Sequence, residues 1–378
     1  MNVLVAGDFC PKDRTARILN TTDKENVLKS VIPIVRKCDF SVVNLECPLV
    51  SKEIKPIVKC GPNLKSSPAA AQLLKHCGFS MATLANNHIM DYGPQGLYDT
   101  LDVLKQQNLA YVGVGENIQE SQRIYYYRKG EKAVAFINCC EHEFSIASED
   151  SAGANPLNPM HQWCAINEAK RNADYTIVIV HGGHEHYQLP SPRMQETYRF
   201  FVDAGADVVI NHHQHCYSGF EIYKGKPIFY GLGNFCFDWE GKRDSIWNYG
   251  YMVELEFGEQ INFLLHPYEQ CNHTPEVRLL NDDKRKDFEK NILHLNSIIK
   301  SSQDLKDQHE KWMGQDERGW LASLNPFTNR YITALTRRKM FPLWFPKKNL
   351  VALLNKVACE SHRDVLVYIL TKQFNKNN

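Results

Sequence analysis

Val3-Leu4-Val5-Ala6-Gly7-Asp8 is an apolar run that ends abruptly on a carboxylate. The same pattern returns along the first two thirds of the chain. Residues 40–43, 81–84, 110–114, 133–138, 176–180, 208–210 and 227–230 are short apolar runs, rich in β-branched residues, of the kind that forms buried strands. Helical segments are predicted between them at 68–77, 94–108 and 192–204. Each opens on a proline (Pro68, Pro94, Pro192), whose fixed φ suits a first helical turn, and the first and last run into Gly78 and Gly205. Strand, polar loop, helix, strand is the grammar of a layered α/β fold. Residues 251–257 and 260–265 predict a late hairpin across Gly258-Glu259.

The length of 378 residues implies one large domain with an appendage, or two domains. Forty-four Lys and Arg against 43 Asp and Glu leave a net charge of +1, which argues against nucleic acid as a partner. The twelve cysteines are scattered with no C-x-x-C pair and read as buried reduced thiols. The N-terminus shows no basic segment and no long apolar segment of a secretory signal. No apolar window of about 20 residues predicts a membrane span. The expectation is a cytoplasmic protein, with any membrane association confined to its C-terminal region. There the pattern changes: residues 283–300, 304–322 and 347–372 are charged with helical periodicity, and 337–348 is basic and aromatic. We place a boundary near 275, giving an α/β domain over 1–275 and a mostly helical region over 276–378.

Chemistry-bearing residues sit where the predicted strands end, the usual place for a site in an α/β sheet. Asp8 follows the first strand and Glu46 follows residues 42–45. Asn86-Asn87-His88, with Asp91 and Gly93 beyond, follows the third. His181-Gly182-Gly183-His184-Glu185-His186 and Asn211-His212-His213-Gln214-His215 follow two later ones. Taken singly, Asp8 reads as a cap, Glu46 as a loop residue and Asn-Asn-His as turn chemistry. Together they form the carboxylate and imidazole mixture that manganese, iron or zinc takes. One or two such ions would activate water for hydrolysis of a phosphate ester. The carboxylate bridging two ions fits either Asp8 or Glu46. Gly113-Val114-Gly115 lacks the rest of a phosphate-binding loop and reads as a strand-end turn.

Val5-Ala6-Gly7-Asp8, Asn44-Leu45-Glu46, Asn86-Asn87-His88-Ile89-Met90-Asp91-Tyr92-Gly93, His181-Gly182-Gly183-His184-Glu185, His212-His213-Gln214-His215 and Leu232-Gly233-Asn234-Phe235 occur in an order that resembles the bacterial CapA family over about residues 2–240. CapA domains are similar to calcineurin-like metallophosphoesterases and are linked to poly-γ-glutamate capsule and other surface-polymer synthesis. The resemblance implies a layered sandwich of that type. It assigns Asp8 to one metal, Glu46 to the bridge, Asn87, His181 and His213 to the second metal, and His215 back to the first. It makes His88 the general acid, with Asp91 holding its other nitrogen. Glu185 and Arg193 are candidates to meet substrate. Cys10 stands where phosphoesterases usually carry the histidine of Asp-x-His, Glu46 replaces a shorter Asp, and Gln214 stands where the family often has Pro.

Two functions follow from this reading. The first is a metal-dependent phosphoesterase-like hydrolase in capsule or surface-polymer biosynthesis, acting on a polymer or a phosphorylated substrate. The second is a metal-retaining protein that binds polymer or serves capsule assembly without turnover, its C-terminal region docking on a membrane or a partner.

Overall fold

The computed structural model describes residues 1–51, 53–59, 61–316 and 329–342. Two sheets carry the fold. The first runs in the order β16 (Val277–Leu279), β15 (Ile261–Gln270), β14 (Tyr249–Phe257), β1 (Asn2–Phe9), β2 (Phe40–Leu45), β3 (Met81–Thr83) and β4 (Ala110–Val112), with β13 (Asn234–Cys236) against the end of β1. The second runs β11 (Phe220–Tyr223), β12 (Lys226–Phe229), β10 (Val208–His212), β9 (Tyr175–His181), β7 (Lys132–Cys140) and β6 (Tyr125–Lys129). β5 (Val114–Gly115) and β8 (Gly153–Ala154) pair separately.

Each sheet contains a run of parallel strands: β1 to β4 in the first, and β7, β9, β10 and β12 in the second. Parallel strands are covered on both faces, which is why residues 3–6 and 177–180 are wholly buried rather than alternating. The sheets face each other through aromatic contacts. Phe40 lies 5.3 Å from Phe136, and Phe229 lies 5.1 Å from Phe263, ring centre to ring centre. Helices Ala69–Cys77 and Gly93–Gln106 bury leucines with Leu4, Ala6, Val43 and Leu45 on the outer face of the first sheet. Helices Pro159–Asn172 and Pro192–Ala204 cover the second. The result is the expected layered α/β sandwich, in four layers. The late hairpin is present as β14 and β15, paired from Tyr249↔Glu269 to Phe257↔Ile261.

Local chemistry sets the ends of these elements. Ser191 accepts a hydrogen bond from the Met194 amide, Pro192 opens the helix, and Gly205 closes it at φ +118°, a left-handed conformation that glycine adopts without strain. Gly7 serves a different purpose. A Cβ placed there would lie 1.9 Å from the Gly233 carbonyl oxygen, so β1 and the chain before β13 can approach only because residue 7 has no side chain. The Asp8 amide donates to that same carbonyl at 3.1 Å, which fixes where the Asp8 side chain begins. Gly7→Ala must push these backbones apart, and we expect a loss of about 3 kcal/mol, the upper range for overpacking. Urea unfolding measures it, and an unchanged midpoint would mean that the two segments separate freely.

The chain divides into two compact units, Met1–His309 and Glu310–Asn378. Helix Asp282–Lys300, capped by the Asn281 side chain on the Lys284 amide, belongs to the first unit. There Asn296 accepts from the Phe220 amide at 2.7 Å, and Phe288 packs on Tyr217 and Tyr251. In the second unit, the described residues include helix Arg330–Arg337. The predicted helix over 347–372 lies outside the described residues, as do 317–322 of the preceding one and 343–348 of the basic-aromatic stretch. No helix among the described residues is long and apolar enough to cross a membrane.

Candidate metal centre

The carboxyl ends of the parallel strands in both sheets meet at one place. Asp8 ends β1 in register with Asn44 of β2 and Asn234 of β13, while His212 of β10 lies opposite His181 of β9. Short loops carry Glu46, Asn87, His213 and His215 into the same space. Asp8 and Glu46 are completely buried, and Asn87, His181, His213 and His215 are buried as well. Glu46 with His181 and His213, and Glu46 with Asp8 and His215, form two groups whose ligand atoms lie within 4.8 Å of one another. Glu46 is common to both. His213 and His215 adopt positive φ values of +92° and +55°, a conformation that costs of order 1–3 kcal/mol per non-glycine residue and clusters at functional sites.

A network of polar contacts orients these side chains. Asn44 Nδ2 donates to Asp8 Oδ1 at 2.7 Å and lies 3.2 Å from His181 Nδ1. The backbone amide of His213 donates to Asp8 Oδ2 at 3.2 Å. His215 Nδ1 lies 2.9 Å from Asn234 Oδ1, which leaves its Nε2 turned to Glu46 Oε1 at 3.5 Å. His181 Nε2 lies 3.0 Å from Asn87 Oδ1, 3.2 Å from His213 Nδ1 and 3.5 Å from Glu46 Oε1.

The exceptions in this network are informative. Both Glu46 oxygens are buried with no hydrogen-bond partner. A buried carboxylate without donors is expensive, and such a group calls for an explanation. Burial, and then the charge of Asp8, push the Glu46 carboxyl well above its usual range. Asp8 goes the other way: burial alone would raise it, but the His212 imidazole, its Nδ1 3.3 Å from Asp8 Oδ1, holds it below the ordinary carboxylate range. Burial, followed by the neighbouring His213 charge, lowers His181, and burial lowers His215 to about 4. A neutral imidazole at His181 or His215 can present a ring lone pair to a cation. An orphaned carboxyl among the imidazoles of His181, His213 and His215 is the donor set that a divalent transition metal fits.

His88 stands beside this cluster. Its Nδ1 lies 2.6 Å from Asp91 Oδ2, which also accepts from the Leu64 amide at 2.6 Å. Lys59, whose side chain is only 1% exposed, forms an ion pair with Asp91 and places its Nζ 3.0 Å from His88 Nδ1. Burial lowers the His88 pKa against the pull of Asp91. Glu185 sits at the rim with its side chain 52% exposed. Burial would raise its carboxyl, but the charges of His215 and His213 lower it. Arg193 is held in an ion pair with Glu141, whose Oε2 accepts from the Gly183 amide at 3.1 Å. The Cys10 thiol is buried and pushed well up by burial and by Cys47, which suits an inert thiol. Sequence reasoning gave no role to Asn44, His212, Asn234, Lys59 or Glu143. Asn44 and Asn234 lie within the quoted motifs, whereas Lys59 and Glu143 are loop residues with no local signature.

The molecule is thus a four-layer α/β protein with a buried carboxylate–imidazole centre at the strand ends. Residues 2–239 match the family described as "Bacterial capsule synthesis protein PGA_cap", and the chain belongs to that family. It is similar to "Capsule biosynthesis protein CapA" of Bacillus anthracis, with 33% identity over 255 residues, 65% of this chain and 62% of that protein. It is also similar to "PGA biosynthesis protein CapA" of Bacillus subtilis (strain 168), with 32% identity over 245 residues, 63% of this chain and 64% of that protein. The matched region therefore spans less than two thirds of either relative. A solved structure of a putative 5'-nucleotidase from Staphylococcus aureus aligns with a TM-score of 0.45 and 18% identity, covering 82% of this chain and 58% of that one.

Proposed function

We propose that the protein is a metal-dependent hydrolase of phosphoesterase type acting in capsule or surface-polymer synthesis, on a polymer or a phosphorylated substrate rather than a nucleic acid. The observation that carries this reading is the unpartnered Glu46 carboxylate between His181 and His215. Asp8, Glu46, Asn87, His181, His213 and His215 would hold one or two manganese, iron or zinc ions. Such an ion, when bound, supplies Lewis-acid polarisation and an activated water. The chain's own residues do the remainder. Asp91 holds Nδ1 of His88, so Nε2 is the nitrogen that meets the substrate and protonates the leaving oxygen. Lys59 balances the Asp91 charge and keeps that carboxylate in place. Glu185, and Arg193 if released from its ion pair with Glu141, would meet the longer portion of a substrate. Asn44 and Asn234 hold Asp8 and His215 in orientation.

The second reading, a metal-retaining protein that binds polymer within a capsule-assembly complex, is favoured by Cys10 standing in place of the phosphoesterase histidine. The test common to both is elemental analysis of the purified protein, followed by assay of manganese-, iron- and zinc-loaded protein on phosphomonoesters, phosphodiesters and polyglutamate. Metal with turnover supports the enzyme. Metal without turnover supports the binding protein, and absence of metal after reconstitution counts against both.

Docking by the C-terminal region belongs to the same proposal. Residues 318–359 contain eight Lys and Arg and no Asp or Glu. Among the described residues there, Tyr331 is 70% and Met340 71% exposed beside Arg337, Arg338 and Lys339. Basic and apolar residues side by side suit an anionic lipid surface. The full chain is expected to sediment with phosphatidylglycerol vesicles and not with phosphatidylcholine ones. Replacing Arg337, Arg338 and Lys339 by Gln removes about 3 kcal/mol of attraction at about 1 kcal/mol per charge. Equal sedimentation of that variant would rule the surface out.

A further inference from the structure

The side chain of Asn87 is pinned at both ends. Its Oδ1 lies 3.0 Å from His181 Nε2, inside the cluster, and its Nδ2 donates to Glu143 Oε2 at 3.0 Å, outside it. The two ends of an amide are nearly alike in shape, so packing does not decide which one faces inward. Chemistry does. A carboxylate only accepts, so the end that meets Glu143 must be the NH2 group, and the end that meets the cluster must be the oxygen. An amide can ligate a cation through its oxygen but not through its NH2 group. Whichever residue fixes the sense of the Asn87 amide therefore fixes whether that position can be a ligand at all.

We propose that Glu143 is a positioning residue of the metal centre, setting the Asn87 amide with its oxygen inward. The proposal rests on the metal-centre reading above and extends it to a residue that no motif contains. Glu143 lies in the loop after β7, 56 residues beyond Asn87, and its side chain is 36% exposed. Its second oxygen lies 3.8 Å from His213 Nε2, so the same carboxylate also borders the other side of the cluster. It stands outside the two groups of converging ligand atoms. The hydrogen bond to Asn87 is thus its closest tie to the centre. Orienting partners of this kind are typically worth 10–100-fold in metal affinity.

The test is calorimetric titration of Mn2+ into metal-stripped full-length protein, comparing wild type with Glu143→Ala, Glu143→Gln and Asp8→Ala, each checked for an unchanged metal-free circular dichroism melt. Loss of 10–100-fold in affinity is expected for Glu143→Ala. Glu143→Gln keeps an acceptor oxygen for Asn87 Nδ2, so its affinity should stay within about threefold of wild type. Asp8→Ala marks the signal of a broken centre. Wild-type affinity in Glu143→Ala overturns the assignment while leaving the metal centre intact. Equal losses in the Ala and Gln variants also overturn it, because they would mean that Glu143 acts through its charge or as a ligand. If the wild type binds no Mn2+, the metal reading falls and the assignment with it.

Discussion

If wild type purifies with stoichiometric transition metal, as proposed, Asp8→Ala and His213→Ala are each expected to purify without it, and to show no rise in melting temperature when Mn2+ is added. The two residues reach the centre from opposite sheets, yet the His213 amide hydrogen-bonds to Asp8 Oδ2 at 3.2 Å, so either change opens the same cluster. In the wild type a metal present at a thousandfold its dissociation constant stabilises by about 4 kcal/mol through mass action. Chelation should abolish that increment and leave the two variants unmoved. Elemental analysis and thermal melts with and without EDTA read both effects. Full metal content in His213→Ala would remove His213 from the proposed ligand set.

His88→Ala is the second substitution with a large expected effect, and it separates the enzyme from the binding protein. A positioned general acid typically contributes 10²–10⁴-fold to rate. His88 lies outside both groups of converging ligand atoms and is tied instead to Asp91 at 2.6 Å. Turnover on whichever phosphoester the protein accepts should therefore fall by about 10²–10⁴-fold with metal content unchanged. An active His88→Ala protein removes His88 as the acid. Loss of metal along with activity would instead assign His88 to holding the centre.

Much of the layered fold is legible in the sequence because its inner strands are buried on both faces. Residues 3–6 and 177–180 are continuous apolar runs, and a run that ends on Asp8 or His181 marks both a strand and its carboxyl end. The late hairpin is legible for a related reason, since Gly258-Glu259 separates two stretches in which apolar residues alternate with polar ones. Contacts between loops are not legible in this way. Glu143 meets Asn87 across 56 residues, Lys59 meets Asp91 across 32, and Glu141 captures Arg193 across 52. None of these pairs has a spacing that a helix or strand would impose. Each exists because two sheets dock and bring separate loops together. Arg193 shows the consequence: in sequence it is a cation beside the His181 loop, and in the folded chain its charge is already answered by Glu141. The role of Asn44 was hidden differently. It stands in plain view in Asn44-Leu45-Glu46, but only the register Asp8↔Asn44 shows that its amide serves the Asp8 carboxylate.

The centre draws Asp8, Glu46 and Asn87 from the first sheet and His181, His213 and His215 from the second, with up to 205 residues between hydrogen-bonded partners. Such a cluster cannot exist until both sheets are built and docked, so its contacts belong to the last stage of folding. A cation held there would act as a clasp on the finished molecule rather than a seed for it. Interactions absent from the folding transition state slow unfolding and leave the folding rate alone. The metal-loaded chain should therefore refold no faster than the stripped one and come apart far more slowly, so that its persistence under proteolysis or heat is set by how long the clasp stays closed.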